Sequence, residues 1–131
     1  MPDINEKRKL LLVDDDEVHL AISGNMLKGE YDIITAKSGK EALGYLLKGV
    51  VPNLILLDII MPNMDGWETY NRIRGISLLR DVPIAFLTSL DGKEEAQQAQ
   101  EMGAADFIPK SCKKEEFLTR IDSIITKYEE K

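Results

Sequence analysis

The sequence predicts an α/β domain built as a five-fold strand–helix repeat, (βα)5, with a doubly wound five-stranded parallel sheet in the order 2-1-3-4-5. Three observations predict it. Five short apolar segments recur along the chain, too far apart for hairpins and correctly spaced for strand–helix–strand units. The stretches between them carry helical periodicity and helix-end signals. Three of the five segments are continuously apolar and two mix in polar residues, which separates central strands from edges.

Taken in order, the predicted strands are Lys9–Val13, Tyr31–Thr35, Asn53–Leu57, Pro83–Leu87 and Ala105–Ile108. Leu10-Leu-Leu-Val13, Leu54-Ile-Leu-Leu57 and Ile84-Ala-Phe-Leu87 are apolar throughout, as strands covered on both faces must be. The second strand carries Asp32 and Thr35, and the fifth runs from Asp106 into Pro109, which has no amide hydrogen to donate to a ladder and belongs on an edge. Edges at two and five are what the order 2-1-3-4-5 provides. Among the helices, Ser38/Glu41, Asp65/Glu68 and Asp91/Glu94 pair an N-cap residue with a glutamate three positions on. Lys28-Gly29, Lys48-Gly49 and Arg74-Gly75 mark exits, with a glycine where a left-handed cap is expected. Phe117, Ile121, Ile124, Ile125 and Tyr128 form one face of a last helix.

Composition narrows the class. The chain has 131 residues, 17 Lys+Arg against 23 Asp+Glu, a net charge of -6 and 44% hydrophobic residues. That length is one domain with a real core. With one cysteine there is no internal disulfide. The acid excess argues against direct nucleic-acid binding, which needs a basic patch. Met1 to Lys9 is charged and lacks the apolar run of a signal peptide, and the longest apolar run, Leu54 to Met61, is interrupted by Asp58. A cytoplasmic, soluble domain is expected, with no membrane contact.

In an open parallel sheet, ligands bind outside the carboxyl ends of the strands. The first strand runs into Asp14-Asp15-Asp16-Glu17, the third into Asp58, the fourth into Thr88-Ser89 and the fifth into Lys110, all at one edge. Gathering Asp14, Asp15 and Asp58 is opposed by like-charge repulsion unless something positive intervenes. Mg2+, which takes oxygens from carboxylates, waters and a phosphate, suits a site with no cluster of His or Cys. Lys110 adds a point charge and Thr88 a hydroxyl, a set able to hold phosphoryl oxygens. Since an aspartate can itself be a nucleophile, the set argues for a phosphoryl-accepting aspartate.

Leu11-Leu-Val-Asp-Asp-Asp16, Leu56-Leu-Asp-Ile-Ile-Met-Pro-Asn-Met-Asp-Gly66, Leu87-Thr-Ser89 and Phe107-Ile-Pro-Lys110 resemble, in that order, the receiver domain of bacterial two-component response regulators. The fold of that family is the flavodoxin/CheY-like one, for which the strand order above is already known. The resemblance runs from about Lys9 to Tyr128, giving a domain at 9–128 with a flexible segment at 1–8 and a tail at 129–131. It implies that Asp58 is the phosphoacceptor. It implies that Asp14, Asp15 and Asp58 hold Mg2+, Asp15 most directly, with the backbone carbonyl of Ile60. Lys110 would pair with Asp58 or its phosphoryl group, Thr88 would bond a phosphoryl oxygen, and Thr88 and Phe107 together would form the switch. The implied partners are a sensor histidine kinase or phosphotransfer protein, and an effector or second copy meeting the face formed by the fourth helix, fifth strand and fifth helix. The implied activity is that of a signalling module rather than an enzyme. Because only Glu129-Glu130-Lys131 follow Tyr128, no output domain is expected within this chain, which leaves a free-standing regulator or a piece of a longer one.

Some positions depart from the family. Ser111 stands where a proline usually follows the lysine, and a cis bond before a non-proline residue costs about 2.5 to 4 kcal/mol, so Lys110–Ser111 is expected to be trans. Ile60 and Leu90 are apolar and flank the approach of an attacking water to Asp58; they are expected to slow dephosphorylation. Phe107 lacks a phenol, so any switch there works by packing. Asp16 and Glu17 read as first-turn acids, Asp65 as an N-cap, His19 as a surface residue of the first helix, Cys112 as an ordinary thiol, and Trp67 and the methionines as packing. Gly24 and Gly44 interrupt helical patterns at about 1 kcal/mol each relative to alanine, for no reason visible in the sequence.

Two rivals explain less. A haloacid-dehalogenase-like phosphatase would use Asp14 and Asp16 with a Thr and a Lys, but it needs an acidic pair after the lysine where only Glu115-Glu116 occur, and it leaves Asp58 unexplained. An FMN binder would need Gly, Ser and Thr where the first loop has acids.

Overall fold

The structure, a computed structural model, describes residues 7–89 and 92–129. Its elements are β1 (Arg8–Val13), α1 (Glu17–Leu27), β2 (Tyr31–Ala36), α2 (Gly39–Leu47), β3 (Leu54–Leu57), α3 (Gly66–Arg74), a 3-10 turn (Ser77–Leu79), β4 (Ile84–Thr88), α4 (Lys93–Glu101), β5 (Asp106–Pro109) and α5 (Lys114–Glu129). All strand pairs are parallel and the order is β2-β1-β3-β4-β5, as the sequence predicts.

Side chains alternate between the two faces of each strand, and both faces are buried. Leu11, Val13, Ile55, Leu57, Ile84 and Phe86 pack with residues of α2, α3 and α4. Leu10, Leu12, Leu54, Leu56, Ala85 and Ile108 pack with α1 and α5, the latter through the predicted stripe Phe117, Ile121, Ile124 and Ile125. Trp67 closes the first of these cores, its ring 4.8 Å from Phe86 and tilted by 59°.

Local signals place the helix ends. Asp16 accepts hydrogen bonds from the amides of Val18 and His19, Ser38 from Glu41, and Asp65 from Glu68. The Asp91 cap and the Leu90 position lie outside the described residues. The exits are partly corrected. Gly49 takes the expected left-handed conformation, with the Val50 amide reaching Tyr45 O and the Gly49 amide reaching Leu46 O. Gly75 keeps right-handed helical angles because the chain winds directly into the 3-10 turn, and Gly29, inside a tight turn closed by Glu30 N to Leu27 O, is not left-handed either. Gly103, after α4, is a left-handed cap without a cation to announce it, its amide on Gln100 O and that of Ala104 on Ala99 O.

The predicted ends also shift. β1 begins at Arg8, whose guanidinium pairs with Glu129 in the last turn of α5. Among the described residues no helix is long and apolar enough to cross a membrane.

Candidate functional site

Register brings the acids together. Val13 of β1 lies opposite Leu57 of β3, so Asp14 and Asp58 leave adjacent strands side by side. The ladder carries on one step: Asp58 N donates to Val13 O at 2.9 Å, and Asp14 N to Ala36 O at 3.0 Å. Both carboxylates are buried, at 4% and 5% exposure. Asp15 is exposed, yet one ligand oxygen from each of Asp14, Asp15 and Asp58 falls within 4.8 Å of the others.

The loop after β3 is shaped by two residues. Gly66 donates its amide to Ile59 O at 2.7 Å, and a Cβ there would collide with the Asp58 carbonyl and the Ile59 Cα. Asn63 takes a positive φ of 69°, which asparagine tolerates better than most residues. The Asp-Gly pair therefore caps α3 with Asp65 while folding the loop tightly onto the backbone of Asp58 and Ile59.

The partner cation comes from the far edge. Lys110 N donates to Thr88 O at 2.8 Å, which extends the β4–β5 ladder and aims the side chain back over the sheet edge. Its Nζ sits 2.8 Å from Asp14 Oδ2 and 3.3 Å from Asp58 Oδ2. A turn closed by Cys112 N to Pro109 O follows, and no cis peptide occurs among the described residues, in line with the trans Lys110–Ser111 expectation. Thr88 is fully buried at the end of β4. Phe107 lies opposite Phe86 in the register and packs partly buried against the α2–α4 core, beside a 240 Å³ cavity lined by Ala96, Ala99, Gln100 and Ala104.

The electrostatics are divided between the two acids. Burial pushes both carboxyls up. For Asp14, hydrogen bonds from His19, Lys110 and the Asp16 amide reverse that and bring it down to about 2. For Asp58, burial and the neighbouring Asp14 charge outweigh Lys110 and the Ile59 amide, and it is pushed up to about 6. Burial opposes the charge of Lys110, but the two carboxylates raise its pKa on balance. A cluster with more negative than positive charge, oxygen donors only and part of one acid open to solvent fits a hard divalent cation.

The structure also corrects one reading. His19 is not a surface residue: its Nδ1 lies 2.9 Å from Asp14 Oδ2 and its side chain is largely covered. No sequence signal announces the contact: Asp16, which reads only as a first-turn acid, binds the His19 amide and so fixes where the imidazole starts. Cys112 behaves as the ordinary thiol expected, pushed up to about 11 by burial and by Glu116. A concavity of 790 Å³ beside α2 and α3 includes none of the three acids, so chemistry rather than volume locates the site.

Comparison with known proteins agrees. The family model described as response regulator receiver domain matches residues 10–122. A probable transcriptional regulator, ycf27, of Porphyridium aerugineum is 36% identical over 92% of this chain and 49% of its own length. Response regulator PleD of Caulobacter vibrioides is 32% identical over 88% of this chain and 26% of its own length. The chain thus spans about half of one relative and about a quarter of the other. The solved structure of Vibrio cholerae chemotaxis protein CheY4 superimposes with a TM-score of 0.84 at 28% identity, covering 91% of this chain and 99% of that one. With the strand order, the acids at the strand ends and the match over nearly its whole length, the chain belongs to the receiver domains of two-component response regulators.

Proposed function

We propose that Asp58 is the phosphoacceptor of this receiver domain. The observation that carries the proposal is the Lys110 ammonium bridging Asp14 and Asp58 at the ends of adjacent strands, with Thr88 at the end of the next. A carboxylate oxygen of Asp58 attacks phosphorus, and the bond from phosphorus to the donor's leaving atom breaks, its electron pair departing with that atom. The donor is a phosphohistidine of a sensor kinase or phosphotransfer protein, and the leaving atom an imidazole nitrogen. Asp14, Asp15 and Asp58, with the Ile60 carbonyl, are the residues that would hold Mg2+, which supplies neutralising charge for the phosphoryl oxygens. Lys110 balances the charge gained at Asp58, and the Thr88 hydroxyl bonds a phosphoryl oxygen.

Phosphorylation places about −1.5 to −2 charge and three acceptor oxygens beside Asp14. Thr88 moving toward that group, with Phe107 repacking next to it, passes the change to the face of α4, β5 and α5. An effector or a second copy meets the protein there. The domain thus works as a signalling module in the cytoplasm.

The test is incubation with Mg2+ and acetyl phosphate, read by intact mass. The parent gains one phosphoryl group, and Asp58→Asn gains none. An adduct that persists in Asp58→Asn, or a parent left unmodified with Mg2+ present, defeats the proposal.

A further inference from the structure

The contact between His19 and Asp14 has no part in the function proposed above. A carboxylate only accepts hydrogen bonds, so Nδ1 of His19 carries the proton and donates it to Asp14 Oδ2 at 2.9 Å. The same oxygen takes Lys110 Nζ at 2.8 Å, and Oδ1 takes the Asp16 amide at 3.0 Å. Asp14 is thereby held on both oxygens and from three directions: the loop, α1 and the end of β5.

His19 is itself anchored. Its backbone amide is bound by the Asp16 cap, and the buried Ser23 hydroxyl lies 3.5 Å from the same ring nitrogen. Packing contributes less, because His19 borders a 110 Å³ cavity lined also by Ile22, Met26, Leu87 and Phe117. A filler side chain would close such a space. The imidazole leaves it open and makes a polar contact.

We propose that His19 is a positioning residue for the cation site, holding the Asp14 carboxylate beside those of Asp15 and Asp58. The inference rests on the reading of those three acids as a Mg2+ site. A hydrogen-bonded ligand carboxylate presents one orientation to the metal, and removing its outer partner typically weakens metal binding by about 10- to 100-fold. Without His19, Asp14 leans on Lys110, which Asp58 also needs.

The experiment is titration with MgCl2 at fixed pH, followed by amide chemical shifts at Asp15 and Ile59. His19→Leu removes the donor. His19→Asn keeps one, since its side-chain amide nitrogen reaches about as far along the chain as Nδ1 does. His19→Leu weakens Mg2+ binding about tenfold or more, while His19→Asn stays close to the parent. A His19→Leu protein that binds as the parent does, or a His19→Asn protein as weak as His19→Leu, overturns the inference while leaving the Mg2+ site standing. A parent that binds no Mg2+ overturns both. If His19→Leu does not fold, the unaltered protein decides: its one histidine gives unambiguous ring nitrogen signals, and a bare, hydrogen-free Nδ1 overturns the assignment.

Discussion

Asp14 and Asp58 are the same residue type at the ends of adjacent strands, equally buried and sharing one lysine, yet one is brought down to about 2 and the other pushed up to about 6. The difference lies in donors. Asp14 takes His19, Lys110 at 2.8 Å and the Asp16 amide; Asp58 takes the Ile59 amide and Lys110 at 3.3 Å, and faces the Asp14 charge. Burial acts on both alike, so partners decide which acid is settled. The one left short of donors is the one proposed to receive the phosphoryl group.

Removing each charge in turn, without divalent cations, tests that contrast most strongly. Each pKa unit is worth about 1.4 kcal/mol, so Asp58→Asn is expected to stabilise the fold at pH 7 by on the order of 3 kcal/mol. Asp14→Asn is expected to destabilise it by less, since losing its partners is offset by relief of Asp58. The pH profile carries the same signs. Asp58 is raised in the fold, so the folded state binds more protons between about 4 and 6, and stability falls as pH rises through that window. Asp14 is lowered, so its contribution is present above about 4 and is lost as pH falls toward 2. Urea denaturation across pH should show a fall between 4 and 6 that Asp58→Asn abolishes. Stabilities of the two variants that move in the same direction would break the comparison.

Mg2+ should act on the same imbalance. At ten times its dissociation constant, a cation that binds only the folded state adds about 1.4 kcal/mol. Thermal unfolding of the parent should show that gain, and Asp58→Asn most of its loss, because the acid whose repulsion the cation relieves is gone. A full gain in Asp58→Asn would place the ion on Asp14 and Asp15 alone.

What was legible in the sequence follows the range of the physics. Alternation and capping act within a few residues, so the continuous strands, the Ser38 and Asp65 caps and the edge position of Pro109 could be read directly. The acids and Lys110 could be placed because strand ends in a parallel sheet share one edge, although the family resemblance supplied their roles. The His19 contact could not, because it depends on how the Asp14–Asp16 loop turns before α1 begins. Gly103 is a left-handed cap that no cation announces and Gly29 is not one despite its lysine, for a related reason: the backbone after a helix is set by where the chain goes next. Gly24 and Gly44 remain unexplained, since an added Cβ at either meets nothing within 4 Å.

The smallest expected effect concerns water rather than charge. Ile60 stands two residues beyond Asp58 and is 58% exposed, so it is unusually wet for an isoleucine and contributes little to the core. A residue so exposed can be changed without disturbing the fold, and its apolar surface is proposed to hinder the water that attacks the phosphorylated Asp58. Ile60→Asn should therefore shorten the lifetime of the phosphorylated protein several-fold, equivalent to under about 1.4 kcal/mol in the barrier, with the unfolding free energy unchanged. Acid-quenched time courses of the acyl phosphate would measure it. An unchanged lifetime would show that Ile60 does not govern water access, and that the slow step is set by the donors around Asp58 itself.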